Sequence, residues 1–128
     1  MQRRLSHALI FTVDLAAMIR FYTDAFGLAA QGTADAGFVL MRANSGADVA
    51  LHQVPPHVAQ EIAMESPAKW RDESALKLCF EVDDLGAQRQ LILGHGGQAQ
   101  EPWSWEGADY CECADPEGNV VQIYTRKA

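Results

Sequence analysis

A short pattern occurs twice in this chain of 128 residues, at positions 70 apart. Each copy begins with an apolar stretch, reaches an aspartate followed by a leucine, and leads on to a glycine. Of the five positions compared between the copies, four are identical. The fifth pair is His7 and Lys77, so the second copy replaces an imidazole with an amine. The identical pairs are Asp14 and Asp84, Leu15 and Leu85, Ala17 and Ala87, and Gly27 and Gly97.

The repeat predicts the same order of elements in both halves of the chain. Residues 5–13 are rich in aliphatic and β-branched side chains, which is typical of a strand. Asp14 stands where an N-cap is expected, and the apolar residues after it recur at steps of three and four, which predicts a helix ending at Gly27. Three strands separated by turn residues follow in each half. We therefore predict one domain made of two βαβββ modules, residues 1–54 and 75–128, joined by a linker over residues 55–74.

Composition excludes several classes of function. The net charge of −7 leaves no basic stripe for phosphate contacts, so we expect no nucleic-acid partner. No apolar run approaches the ~20 residues that a membrane-spanning helix needs. The three cysteines have no disulfide-framework spacing, which favours a reducing, cytoplasmic location. Cys111 and Cys113 lack a second pair for a zinc site and are expected on one face of a strand.

Four segments of the chain carry a family resemblance: residues 7–14, residues 20–22 with 26–28, residues 80–85 and residues 115–124. Together they resemble the vicinal oxygen chelate superfamily, which includes glyoxalases, bleomycin-resistance proteins, fosfomycin-resistance enzymes and extradiol dioxygenases. The resemblance covers nearly the whole chain outside the predicted linker. It implies an α+β fold of two tandem βαβββ modules that form a cupped mixed sheet, and a homodimer.

The resemblance also implies positions for a divalent metal, and this chain departs from most of them. The strand 1 position keeps its usual histidine, His7. The strand 5 position is Lys77 where relatives usually have histidine, and the strand 8 position is Gln122 where they usually have glutamate. The strand 4 carboxylate of glyoxalases falls on Ala50. Lysine and alanine supply no lone pair to a metal at neutral pH, so we expect no metal cofactor. A partial site of His7, His52 and Gln122 is the alternative.

Strand alternation predicts which side chains line the cup. Lys77 is its most unusual member, because an amine in an apolar cup must find a partner. Binding an anionic ligand oxygen, a structural salt bridge and a surface position all remain open for Lys77. A direct pair with Glu81, four residues along the strand, would need both side chains to lean together. The predicted pocket residues are His7, Phe11, His52, Lys77, Glu81, Gln122 and Tyr124, with Trp103 as a stacking wall.

These residues predict a metal-independent protein that binds a small organic ligand, anionic or flat, in a β-sheet cup. Two alternatives from other classes stay open. One is a lyase or isomerase in which Lys77 and His7 act as the catalytic acid and base. The other is a metal-dependent enzyme of the glyoxalase or dioxygenase type.

Overall fold

A computed structural model describes residues 1–62 and 64–127 of the chain. Its internal contacts divide the chain into two compact units, Met1–Ala63 and Met64–Ala128, which we call the first and second modules and describe separately. Within the described residues, no helix is both long enough and apolar enough to cross a membrane. The architecture is mixed α+β, as predicted, with one mixed sheet in each module.

The first module follows the predicted strand–helix–strand–strand–strand order. Its four-stranded sheet has the order β1-β4-β3-β2, in which β1 and β4 are parallel and the other pairs are antiparallel. A 3₁₀ turn at Ala34–Ala36 lies between the second and third strands. The elements are β1 (Ala8–Thr12), α1 (Leu15–Phe26), β2 (Ala29–Gln31), β3 (Phe38–Arg42), β4 (Asp48–Gln53) and α2 (Pro56–Ala59).

The second module repeats this topology with one interruption. Its first strand is again parallel to its last, and the remaining strands form an antiparallel ladder. The strand predicted near residues 98–102 is present as two short pieces that both pair with β8. Pro102 lies between the pieces and has no N–H to donate to the ladder. The elements are β5 (Leu78–Glu81), α3 (Leu85–Gly94), β6 (Gln98–Ala99), β7 (Trp103–Trp105), β8 (Ala108–Ala114) and β9 (Val120–Arg126).

Both long helices begin and end as the sequence predicts. The Asp14 carboxylate accepts a hydrogen bond from the Ala17 amide at 3.1 Å, and the Asp84 carboxylate accepts one from the Ala87 amide at 3.0 Å. Each therefore satisfies one of the backbone donors left open at a helix N-terminus. Gly27 ends α1 in the left-handed conformation, with φ of 68°. The buried face of α1 consists of Leu15, Met18, Phe21, Tyr22 and Ala25.

The inner face of the second sheet carries its module's core. Cys111 and Cys113 are fully buried on the same face of β8, as their alternation predicts, with their sulfurs 3.8 Å apart. Val121 and Ile123 on β9 are equally inaccessible. Burial, and then the neighbouring Cys111, raise the pKa of the Cys113 thiol well above its ordinary range. These cysteines act as small apolar core residues.

One buried carboxylate organises the turn between β8 and β9. Asp115 is fully buried, and its Oδ1 accepts hydrogen bonds from the backbone amides of Glu117 at 2.9 Å and Asn119 at 3.0 Å. The side-chain amide of Asn119 donates to Oδ2 of the same carboxylate at 2.9 Å. The turn therefore has a fixed shape, and it fixes the register of β8 and β9, the two long strands that it connects.

The segment before β5 is held against this turn. The Arg71 amide donates to the Gly118 carbonyl at 2.8 Å, and Arg71 Nε donates to the Glu117 carbonyl at 3.1 Å. The Trp70 indole donates to the Gln98 side chain at 3.1 Å. Residues 70 and 71, inside the predicted linker, are thus bonded into the second module.

Gly118 gives a direct test of this packing. Its φ is +84°, and a Cβ built there would overlap the carbonyl oxygen of Lys69. We expect Gly118→Ala to lower the free energy of unfolding by at least ~3 kcal/mol, since left-handed strain and a backbone clash act together. Gly46→Ala is the matched control, because Gly46 has φ of +87° but nothing within 4 Å of its Cβ position. It should cost only ~1 kcal/mol.

Urea unfolding followed by far-UV circular dichroism measures both values. Equal losses in the two variants would contradict the docking of the segment on the turn.

Candidate functional site

The strand register of the second module places several predicted site residues on one outer face. Parallel pairing of β5 with β9 sets Cys79 beside Gln122 and Glu81 beside Tyr124. Because side chains alternate along a strand, these residues and Lys77 lie on the face opposite the buried core. We call this the outer face of the second module.

A charged cluster lies on this face. Lys77 Nζ is 3.1 Å from both carboxylate oxygens of Glu112, and Gln122 Nε2 donates to Glu112 Oε1 at 2.6 Å. The side chain of Glu112 is only 20% exposed, and that of Lys77 is 41% exposed. Two nitrogen donors, one just before β5 and one on β9, thus converge on one half-buried carboxylate. At this exposure the ion pair itself contributes ~0.5–1 kcal/mol.

Next to the cluster is a row of aromatic rings. Trp103 stacks on Tyr110 with ring centroids 4.6 Å apart and an interplanar angle of 16°. Tyr110 stacks on Tyr124 with centroids 5.9 Å apart and an angle of 26°. Trp103 is 44% exposed and Trp105, which is tilted against Tyr110, is 59% exposed. The exposed apolar surface of the row is therefore at its two tryptophans.

A tight turn holds the tryptophans in this row. Glu106 and Gly107 connect β7 to β8 and both have positive φ, 45° and 79°. This is the hairpin turn whose twist matches that of the flanking strands. It pairs Trp103 with Tyr110 and Trp105 with Ala108, so both indoles lie on the same face of the strand.

Glu81 has a different partner from the one weighed in the sequence. Its carboxylate is 3.3 Å from Arg126 Nε, and Arg126 in turn lies over the Tyr124 ring at 5.8 Å from the centroid. Tyr124 and Glu81 together raise the pKa of the Arg126 guanidinium. Lys77 and Glu81 therefore form ion pairs with different partners, Glu112 and Arg126, and not with each other.

The predicted residues of the first module form a second group. Phe11 pairs with His52 between β1 and β4, with ring centroids 5.6 Å apart. Phe38 lies 6.0 Å from the His52 ring and 6.4 Å from the His7 ring, between centroids. The structure thus brings His7, Phe11 and His52 together around Phe38, a residue that the sequence analysis did not select. Ala50 is fully buried and bears no ligand atom.

The residues present do not fit the metal site of the implied family. Lys77 and Gln122 occupy two of the positions where that family is expected to have metal ligands. Gln122 lies on β9 of this structure. Both side chains direct N–H donors toward Glu112, whereas a metal requires lone pairs. Among residues 1–62 and 64–127, no three His, Cys, Asp or Glu side chains are grouped to hold a metal ion.

The sequence analysis missed Glu112 and Tyr110, although a signal for both exists. The turn after β8 leaves Ala114 and Val120 paired across it. Counting two residues outward on each strand pairs Glu112 with Gln122, and two more pair Tyr110 with Tyr124. The position of this turn therefore determines which residues of β8 and β9 pair with each other.

Comparison with known proteins gives one consistent result. A family model described as the Glyoxalase/Bleomycin resistance protein/Dioxygenase superfamily matches residues 4–123. A search of curated proteins found no significant match.

Solved structures of this kind share the fold at low sequence identity. A glyoxalase family protein from Bacillus cereus aligns with a TM-score of 0.75 and 19% identity, over 100% of this chain and 97% of that chain. The fosfomycin resistance protein FosX from Mesorhizobium loti aligns with a TM-score of 0.68 and 16% identity, over 98% and 93%. A family enzyme from Burkholderia phytofirmans PsJN aligns with a TM-score of 0.68 and 19% identity, over 94% and 97%.

Thiol chemistry tests which face of the second sheet is accessible. Cys79 is exposed on the outer face, whereas Cys111 and Cys113 are buried on the inner face. We expect Ellman's reagent to modify one thiol in the native protein and all three in denaturant, because burial keeps the reagent from Cys111 and Cys113. At Cys113 burial also raises the pKa of the thiol, which lowers its thiolate fraction further. Cys79→Ser should abolish the native reaction. Rapid modification of Cys111 or Cys113 in the folded protein would contradict the assigned faces.

Proposed function

We propose that this chain, which belongs to the Glyoxalase/Bleomycin resistance protein/Dioxygenase superfamily, binds a small organic ligand and does so without the metal that many relatives are expected to use. The ligand has a flat part and a polar part that includes an anionic group. Its central contacts are Lys77, Gln122, Tyr124 and Trp103 on the outer face of the second module.

The observation that carries this proposal is the stacked aromatic row beside the charged cluster. Stacking of a flat ligand on the exposed Trp103 ring would contribute about 0.5–1.5 kcal/mol beyond area burial. Tyr110 and Glu112 are two residues apart on β8, ~6.6 Å at ~3.3 Å per residue. A molecule the size of one ring with one polar substituent spans that interval. Apolar surface with a few convergent polar groups is the usual composition of a small-molecule site.

The charged cluster supports binding in preference to proton transfer. Lys77 contacts both oxygens of Glu112, a geometry that suits an ammonium group with three donors. A lysine acting as a base would first have to give up this contact and its proton. The alternative in which Lys77 and His7 act as acid and base therefore has less support, and it is separated from binding by turnover: a binder returns its ligand unchanged.

The first module carries a separate group of proposed ligand contacts, His7, Phe11 and His52. The observation that supports them is their ring contacts with one another and with Phe38. These rings combine apolar surface with imidazole nitrogens. Imidazole nitrogens there can donate to, or accept from, a ligand's polar substituents.

A pair of matched probes tests the flat-ligand prediction. We expect 2-naphthoate to shift backbone amide resonances of β7, β8 and β9, and benzoate to bind more tightly than cyclohexanecarboxylate, which has the same charge but no flat ring. Trp103→Leu should weaken 2-naphthoate about 5–10-fold through loss of stacking. Trp105→Leu is the graded control and should weaken it less, since that ring is only tilted against Tyr110.

Equal affinity for benzoate and cyclohexanecarboxylate would refute the flat-ligand prediction. Stoichiometric metal that is lost in His7→Ala, in protein purified without chelator, would instead favour the metal-dependent alternative.

The proposal includes a homodimer. We call the face of β1, β3 and β4 that carries Leu9, Phe11 and Phe38 the outer face of the first module. Phe11 is 60% exposed there, and Leu9 and Phe38 are each 41% exposed. Single exposed apolar side chains need no explanation, but a group of them indicates an interaction surface. We expect a second copy of the chain to cover this face, and sedimentation velocity to give a dimer that Phe11→Ser shifts toward monomer. A monomer at every concentration would exclude this part of the proposal.

A further inference from the structure

A small cavity lies at the polar end of the second module's outer face. It has a volume of about 230 Å³, which is room for several waters. The segment before β5 forms one wall and the charged cluster forms the other. Its lining includes Arg71, Asp72, Ser74, Lys77, Glu112 and Val120.

The charged groups around this cavity balance. Two cations, Arg71 and Lys77, face two carboxylates, Asp72 and Glu112. Arg71 uses Nε to hold the Glu117 carbonyl, and its guanidinium has further N–H donors on the Nη atoms. A guanidinium recognises a carboxylate with two parallel hydrogen bonds, so Arg71 is suited to a ligand carboxylate.

Ligands with one kind of charge leave a carboxylate or a cation without a partner. An anion that bonds to Lys77 must compete with Glu112, and it leaves that half-buried carboxylate uncompensated. A cation that bonds to Glu112 leaves Lys77 in the same position. A dicarboxylate on Arg71 and Lys77 would also meet Asp72. Truncating one side of a charge pair is costly because the other charge is stranded.

We propose that this cavity holds the carboxylate and the ammonium group of one small zwitterionic ligand, the head group of an α-amino acid. The ligand carboxylate bonds to Arg71 and Lys77, and its ammonium group bonds to Glu112 and Asp72. Each protein charge then exchanges or gains one partner, and no charge is left over. The inference rests on the proposed function, since it specifies the polar part of the ligand whose flat part lies on the aromatic row.

Three probes with the same ring and different head groups test the inference. L-Phenylalanine carries both charges, 3-phenylpropionate only the carboxylate, and 2-phenylethylamine only the ammonium group. Titrations to about 10 mM, which reach millimolar affinities, are followed by amide shifts of residues 71–77 and of Glu112. We expect L-phenylalanine to bind at least about tenfold more tightly than either singly charged probe.

Substitutions identify the groups responsible. Asp72→Asn removes an exposed charge and should weaken L-phenylalanine about 3–10-fold while leaving 3-phenylpropionate unchanged or tighter. Lys77→Met should weaken both. Lys127→Met is the matched control, because Lys127 makes a comparable exposed ion pair with Asp109 at 3.2 Å in the same module. That variant should change neither affinity.

The outcomes separate this inference from the proposed function. If 3-phenylpropionate or 2-phenylethylamine binds as tightly as L-phenylalanine, the zwitterion inference is wrong and the flat-ligand site stands. The same holds if 2-naphthoate binds and L-phenylalanine does not. If neither binds, both proposals fail.

Discussion

The parallel pairing of the first and last strands is the constraint on which each module depends. A parallel pair cannot be closed by a tight turn and requires a longer connection. In each module this connection begins with the capped helix and continues through the antiparallel strands. In the second module this pairing fixes which face of β5 and β9 is buried, with Val121 and Ile123 inside. Gln122 and Tyr124, which alternate with them, must then lie outside. The candidate site is thus a direct consequence of the core.

The charged cluster combines one carboxylate with two nitrogen donors. Gln122 is neutral, and the carboxylate that pairs with Lys77 comes from Glu112 on β8. The amide of Gln122 adds a second donor to that carboxylate. Since a half-buried charge is costly unless its hydrogen bonds are satisfied, Glu112 and the amide at 122 are compatible where two carboxylates would repel.

The fold was predictable from the sequence where local chemistry decides it. Asp14 and Asp84 as N-caps, and the alternation that buries Cys111 with Cys113, depend only on residues near them in the chain. The ion pair between residues 77 and 112 was not predicted, because it depends on register across three strands. The hydrogen bonds of Arg71 to the turn were not predicted for another reason. They depend on the path of a polar segment whose sequence has no periodicity.

The aromatic row and the charged cluster constrain each other as parts of one surface. Tyr110 and Tyr124 are the next outward-facing pair along the ladder from Glu112 and Gln122. Hydrogen bonds are stronger where the local polarity is lower. A ligand that covered this part of the face would therefore strengthen them, but only if it replaced every hydrogen bond it displaced. A divalent metal would meet two N–H donors at this position, whereas an organic group with its own donors and acceptors can match them. The arrangement of donors on this face therefore selects for hydrogen-bonding chemistry over coordination chemistry.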